Sequence, residues 1–373
     1  MSMHPHTPTA TGEAIGQVLE AIGDGPDLAV VFFTRDHAEA AARIARAIRA
    51  TLRPSVLLGC AAESVAANGT EVEAGAAISL WAGRVGTVRP VRIHAGNTAE
   101  GADVIGWDNA ASPGATLLLV ADPFTFPTAK FLAQAVSGSS ARQVVGGLAS
   151  AANGAGGNRL ILDGDVFWHG AVGVLLDPSC DITPVVSQGC EPVGRPFVVT
   201  AASGNAILGL GSQPAVQRLD ELLLELGSES RDRFVRGPQI GVVVDEHKTE
   251  FSRGDFLIRP VLGADRGTGA VIIGDQPDIG TTMQFHIRDA DSAHEELARV
   301  IATTAGERVV AGTLLFTCNS RGRRLFDEPN HDAGLIHELT TAPLGGMFCA
   351  GEIGPLGTRS YLHSFAASAL LFH

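Results

Sequence analysis

The chain has 373 residues, 45% of them apolar and only 18% charged, so it exceeds one typical domain, can bury a large core and is not disordered. A formal net charge of −13 argues against nucleic acid as a partner, because phosphate binding needs clustered Lys and Arg. No apolar run is long enough to span a bilayer and no basic segment leads an apolar one at the start, which predicts no membrane contact and a cytoplasmic location.

In chain order, "MSMHPHTPTATGE" opens a polar, Pro-containing segment over residues 1–24 that reads as a flexible tail. A strand-like run "LAVVFFT" (Leu28–Thr34) follows, then a helix-like segment with apolar residues at helical spacing (His37–Leu52), a second strand "SVLLGCAAE" (Ser55–Glu63) and a third, "AAISLWAG" (Ala76–Gly83). The same order returns as "ATLLLVADP" (Ala115–Pro123), a helix over Pro127–Gly138, "QVVGGLASA" (Gln143–Ala151) and "GAVGVLLDP" (Gly170–Pro178). Near the end it returns again as "GTLLFTC" (Gly312–Cys318), a helix over Ala333–Thr341, "LGGMFCAGE" (Leu344–Glu352) and "FAASALLF" (Phe365–Phe372). The first and third copies share a short signature, Cys60-Ala61-Ala62-Glu63 against Cys349-Ala350-Gly351-Glu352, which equates Glu63 with Glu352.

A strand, a helix and a second strand of these lengths form a right-handed crossover with parallel strands. A third strand joined by a hairpin makes the sheets mixed. The expected fold is therefore α/β (α+β), with mixed, largely parallel sheets and flanking helices. Runs such as "ATLLLVA" lack polar alternation, as when both sheet faces are covered. Between the second and third copies, two short strands with a turn at Gly204-Asn205 lead to a helix from Pro214 to Leu226 that carries Leu219, Leu222, Leu223 and Leu226 on one face. The charged stretch Gly227–Gly237 reads as a boundary between domains at 25–227 and 228–373, and a strand-rich meander follows it.

Five cysteines without a CxxC pair give neither a disulfide framework nor a zinc site. GxGxxG between strand and helix, GxxxxGK[ST], HExxH and GxSxG are all absent, so no cofactor or metal is expected. Chemistry concentrates in "LLFTCNSRGRRLF" (Leu314–Phe326). Cys318 ends a strand where open α/β sheets place their crevices, Asn319, Arg321 and Arg323 follow it, and the neighbouring strand delivers Gly351 and Glu352 to the same edge with His363 close by. Positive neighbours lower a thiol pKa, arginines hold carboxylates through paired hydrogen bonds, and a glutamate receives an ammonium. The same residues admit a thiol-dependent hydrolase or transferase, with Cys318 as nucleophile, His363 as base and Glu352 orienting it. They also admit a structural ion pair in an interaction scaffold. Arg259, a lone arginine in "FLIRP", needs a partner, for which Asp265 is the nearest candidate.

On the segments "LLGCAAE", "VVGGLAS", "SQGCEPVGRPFVVTAASGNAILGLGSQPA", "FLIRPVLGAD", "LLFTCNSRGRRLF" and "GGMFCAGEIGP", the chain resembles a FIST protein over Leu28 to Phe372, with FIST N and FIST C domains. The resemblance implies an intracellular sensory role and a small ligand, an amino acid or a small carboxylate. With no kinase, cyclase, receiver or F-box segment in the sequence, output through a separate signalling protein is expected. Cys318, Asn319, Arg321, Arg323, Gly351, Glu352, His363 and Arg259 are the candidate ligand contacts.

Overall fold

The computed structural model describes residues 1–98, 101–107, 114–135 and 143–373. Two compact units form, Met1–Val186 with Leu297–His373, and Ser187–Glu296 between them in sequence.

The first unit begins with α1 (Thr7–Ile22), so the expected flexible tail is mostly helix. Ala10, Ala14, Ile15 and Val18 lie at helical spacing and are buried against Ile44, Ile48 and Leu57. The polar composition of the segment hides this narrow apolar stripe. The first repeat follows as β1 (Leu28–Thr34), a 3₁₀ turn over Arg35–Ala40, α2 (Ala41–Thr51) and β2 (Val56–Ala62). A small hairpin, β3 (Val65–Ala67) and β4 (Thr70–Val72), then leads to β5 (Ile78–Gly83). After β6 (Val88–Thr98) and β7 (Gly101–Ile105), the second repeat contains β8 (Thr116–Ala121), α3 (Thr128–Ala135), β9 (Val144–Leu148), the hairpin β10 (Leu160–Leu162) and β11 (Asp165–Phe167), and β12 (Ala171–Leu176). The last three residues of the helix expected over Pro127–Gly138 lie outside the described residues. β13 (Ile182–Ser187) ends this part of the chain.

The second unit is antiparallel. It contains β14 (Cys190–Ser203), β15 (Ala206–Leu210), β16 (Gln213–Pro214), α4 (Ala215–Glu225), α5 (Ser228–Arg236), β17 (Pro238–Val243), β18 (Phe256–Asp265), β19 (Ala270–Ile273) and β20 (Thr282–Arg288). The order β14-β20-β17-β18-β19-β15, with the two-residue β16 beside β15, closes on itself through a β14–β15 pairing, so the expected meander is a closed barrel. The Gly227–Gly237 stretch, expected as a domain boundary, lies inside this unit: it forms α5, whose Phe234 is buried edge-to-face on Phe285. A charged helix with one buried aromatic resembles a linker in composition alone.

The chain re-enters the first unit along α6 (Ala290–Glu307) and builds the third repeat from β21 (Gly312–Cys318), α7 (His331–Thr340), β22 (Leu344–Cys349), the hairpin β23 (Glu352–Leu356) and β24 (Arg359–His363), and β25 (Ala367–Phe372). In every repeat the first two strands are parallel, β1–β2, β8–β9 and β21–β22, and the last strand runs antiparallel to the first, β5 on β1, β12 on β8 and β25 on β21.

The hairpins are exchanged around a ring. The first repeat's hairpin pairs with β22 of the third, the second repeat's with β2 of the first, and the third repeat's with β9 of the second. One face of each sheet therefore points to a common core that contains Phe32, Leu58, Val120, Val174, Phe316 and Met347, while the other face packs on its own repeat's helices. This two-sided burial explains why the strands read as unbroken apolar runs. Burying each large apolar side chain contributes about 1.5–3 kcal/mol.

The strand register also fixes which residues correspond. Gly59 lies opposite Val31, Gly146 opposite Leu119 and Gly346 opposite Leu315, at the same position in all three repeats. A Cβ on Gly59 would sit 2.2 Å from the Val31 carbonyl oxygen, and one on Gly146 only 1.9 Å from that of Leu119. On this register Cys60 corresponds to Met347 and Val65 to Glu352. The Cys-Ala-Ala-Glu signature is thus displaced by two residues, and the sequence equivalence of Glu63 with Glu352 is corrected.

Candidate functional site

β21 delivers the cluster expected at its carboxyl end, but the side chains divide into a buried layer and an open one. After Cys318 the backbone turns tightly, with the Arg321 N–H donating to the Cys318 carbonyl at 2.9 Å. This directs the Arg321 side chain inward, where it is fully buried. Its Nε donates to Asp332 Oδ2 at 2.7 Å and its Nη2 to Oδ1 at 2.8 Å, a paired geometry suited to a guanidinium and a carboxylate. Asp332 sits in the first turn of α7, where the helix dipole favours an anion, and it also accepts the Thr317 hydroxyl at 2.5 Å. Burial alone would raise its pKa, but the Arg321 charge and hydrogen bonds from Arg321, His331 and Thr317 hold the carboxyl well below the usual range. The Phe326 ring lies 5.3 Å from the Arg321 guanidinium carbon and closes over it.

Cys318 and Glu352 share this interior. Burial and the nearby Glu352 push the Cys318 thiol up to about 12, the opposite of the lowered pKa expected from an arginine-rich loop. The reason is that Arg321 is already neutralised by Asp332, and the other two arginines point outward. Glu352 is fully buried and accepts the Ala366 N–H at 3.0 Å. Burial raises it to about 8, against opposing hydrogen bonds from Ala366 and the Cys318 thiol. His363 lies opposite Glu352 in the β23–β24 ladder, but its Nε2 is 3.0 Å from the Gly354 carbonyl. Gly351 is buried and accepts the Leu148 N–H at 2.8 Å. Arg259 belongs to the second unit and pairs with Asp275 at 2.5 Å; Asp265, its expected partner, instead caps a turn by accepting the Gly267 N–H at 2.8 Å.

The open layer is a cleft of about 480 Å³ between the β21 rim and the first repeat's hairpin, lined by Glu63, Glu71, Glu73, Asn319, Arg323 and Arg324 among others. Both repeated edges therefore face one hollow, which the exchange of β3–β4 onto β22 brings about. Arg324 Nη2 reaches Glu63 Oε1 at 2.5 Å, and Arg324 Nη1 donates to the Asn319 carbonyl at 2.7 Å. The Arg323 N–H donates to the Glu73 carboxylate at 3.0 and 3.2 Å, while among the described residues its guanidinium enters no ion pair. Gly322, with φ 56°, is pressed so close to this carboxylate that a Cβ would sit 2.6 Å from Oε2.

Glu71 is the most constrained of the three glutamates. Its N–H donates to Asn330 Oδ1 at 2.7 Å, its Oε1 accepts the Ala333 N–H at 2.9 Å, and its buried Oε2 has no hydrogen-bond partner among the described residues. Among the described residues the buried Asn319 Oδ1 has no hydrogen-bond partner either. Burial, and secondarily the Asp332 charge, push the Glu71 carboxyl up to about 8.

Of the residues expected from sequence, Asn319 and Arg323 line the cleft. Cys318, Arg321 and Glu352 form a buried support to the rim. Gly351, His363 and Arg259 lie elsewhere. Glu71 and Glu73 were missed. The Asn68-Gly69 pair was the available signal, since an Asn-Gly step between short apolar runs marks a hairpin. Among the described residues, no group of three or more His, Cys, Asp and Glu side chains is placed to hold a metal ion, and no helix is long and apolar enough to cross a membrane.

The chain belongs to the FIST family: the FIST N domain matches residues 27–213 and the FIST C domain residues 215–355. FIST domains are sensory domains of signal transduction, which sets the protein's coarse role. An uncharacterized protein of Mycobacterium bovis is 40% identical over 373 residues, covering 99% of this chain and 96% of its own. A second, from Mycobacterium tuberculosis, is 38% identical over 376 residues, covering 100% and 98%.

Proposed function

We propose that the protein senses a small zwitterion or carboxylate, with an amino acid as the leading class, in the cleft between the β21 rim and the β3–β4 hairpin, and passes its occupancy to a partner signalling protein. The observation that carries this reading is the meeting of the Arg323 guanidinium, which enters no ion pair among the described residues, with the acidic wall of Glu71 and Glu73 in a hollow of about 480 Å³, a size within the range of small-molecule sites. An arginine suits a carboxylate and the acidic wall suits an ammonium. A nucleophilic role for Cys318 draws no support from a thiol that is buried and pushed up to about 12.

The test is a thermal-shift and calorimetry screen with the standard L-amino acids and short carboxylates. A binder is expected, and Arg323→Ala should weaken a carboxylate-bearing one by about tenfold or more. A panel that leaves the wild type and Arg323→Ala alike, with no shift in either, would remove this reading.

A further inference from the structure

We propose that Glu71 Oε2 and Asn319 Oδ1 form the floor of a dedicated ammonium subsite, so that a primary amine entering the cleft binds by taking up both oxygens and leaves Glu71 ionised. This deepens the sensory reading above and rests on the same cleft. Two observations carry it. Glu71 is only 8% exposed, yet it lines the hollow, and one of its carboxyl oxygens is buried without a hydrogen-bond partner among the described residues. Along the same lining, the buried Asn319 Oδ1 likewise has no hydrogen-bond partner among the described residues. A buried acceptor left unsatisfied costs roughly 1–3 kcal/mol, which a donor-rich ligand returns on binding. An ammonium is such a donor, with three N–H groups and no acceptor. The remaining carboxylates of the cleft are already engaged, Glu63 by Arg324 and Glu73 by the Arg323 backbone.

The charged groups around Glu71 settle its protonation. Asp332 on α7 and Glu73 on its own segment oppose ionisation, Arg321 favours it, and the Ala333 N–H at the start of α7 favours it as well. Arg321 is committed to Asp332, so burial prevails and the carboxyl holds its proton up to about pH 8. Below that pH a bound ammonium supplies the missing counter-charge and the carboxyl proton leaves to solvent: one O–H bond breaks, one proton is released, and an ion pair forms. Binding then tightens as pH rises toward 8, by up to about tenfold per unit. The carboxylate so formed strengthens the hydrogen bond that the Ala333 N–H already makes at 2.9 Å, which ties occupancy to the start of α7.

The experiment is isothermal titration calorimetry at pH 6.5 with the standard L-amino acids and with ethylamine, each in phosphate and in the tertiary-amine buffer Bis-Tris, on wild type, Glu71→Gln and Asn319→Ala. Glutamine preserves the acceptor for the Ala333 N–H, so folding is retained, and circular dichroism checks it. The expected result is an amine-bearing ligand whose binding releases close to one proton in wild type and none in Glu71→Gln. Affinity should fall by roughly tenfold or more in each variant. An amino acid that binds without proton release and equally well to Glu71→Gln overturns the subsite while leaving the sensory reading in place. Ethylamine binding with Glu71 dependence, and no amino acid binding, keeps the subsite and removes the zwitterion. Silence from every probe on the wild type overturns both.

Discussion

Replacing Arg321 by methionine tests the buried layer on which the rim is built. The guanidinium is 0% and Asp332 1% exposed, and two direct bonds at 2.7 and 2.8 Å join them. Methionine fills most of the volume and keeps a favourable contact with the Phe326 ring, so the change isolates the charge. It leaves Asp332 ionised in the interior with Thr317 and His331 as its side-chain hydrogen-bond partners. Removing one member of a buried pair costs about 3–5 kcal/mol. At roughly 2–4 °C per kcal/mol for a large domain, Tm should fall by about 6–20 °C. Scanning calorimetry and urea unfolding followed by circular dichroism measure this. The double variant Arg321→Met/Asp332→Leu removes both charges and should regain most of the loss, ending within about 2 kcal/mol of wild type. A single-variant cost below about 1 kcal/mol, or a double variant worse than the single, would refute the reasoning.

Glu71 and Glu352 both hold protons up to about pH 8, against an ordinary value of 4.5. Over that interval the folded chain binds protons that the unfolded chain has released, so their stabilising effect is complete below about pH 4.5 and declines as pH rises to about 8. The slope should approach ~1.4 kcal/mol per pH unit for each group, and urea midpoints at pH 5 and pH 8 should show it shallower in Glu352→Gln. Asp332 acts in the opposite sense, since its lowered pKa makes its stabilising effect present above the unfolded carboxylate range and lost only in stronger acid. All five cysteines are free and buried, so an aromatic disulfide reagent at pH 8 should titrate almost no thiol in the native protein and five after denaturation. Gly146→Ala would drive a methyl to 1.9 Å from the Leu119 carbonyl oxygen at φ 146°, and should abolish soluble expression, whereas Gly154→Ala, with nothing within 4 Å, should be tolerated.

The repeat, its parallel strand pairs and the concentration of chemistry after Cys318 were legible because they follow from local periodicity and from where a strand ends. The direction of the side chains was not. Whether Arg321 faces inward or outward depends on Asp332, eleven residues later, and on the buried Thr317 hydroxyl. The thiol's pKa was misread for the same reason, because a count of nearby arginines does not show that Asp332 has already neutralised the only one that is buried. Glu71 and Glu73 were out of reach for a different reason. They face Arg323 only because Val65 pairs with Met347, a contact 282 residues apart that no local pattern encodes. The helix at Thr7–Ile22 was lost to composition, its few apolar positions being outnumbered by polar and glycine residues.

The ring of borrowed hairpins has a practical consequence for anyone dividing the gene. A fragment that starts at residue 215, where the second family match begins, would contain β22 without the strand that borders it and would leave β9 of the other piece with a bare edge. Neither half would carry a finished sheet. The sequence boundary between the two FIST regions records how the chain is written, while cooperative stability belongs to an interlocked whole in which each third completes its neighbour.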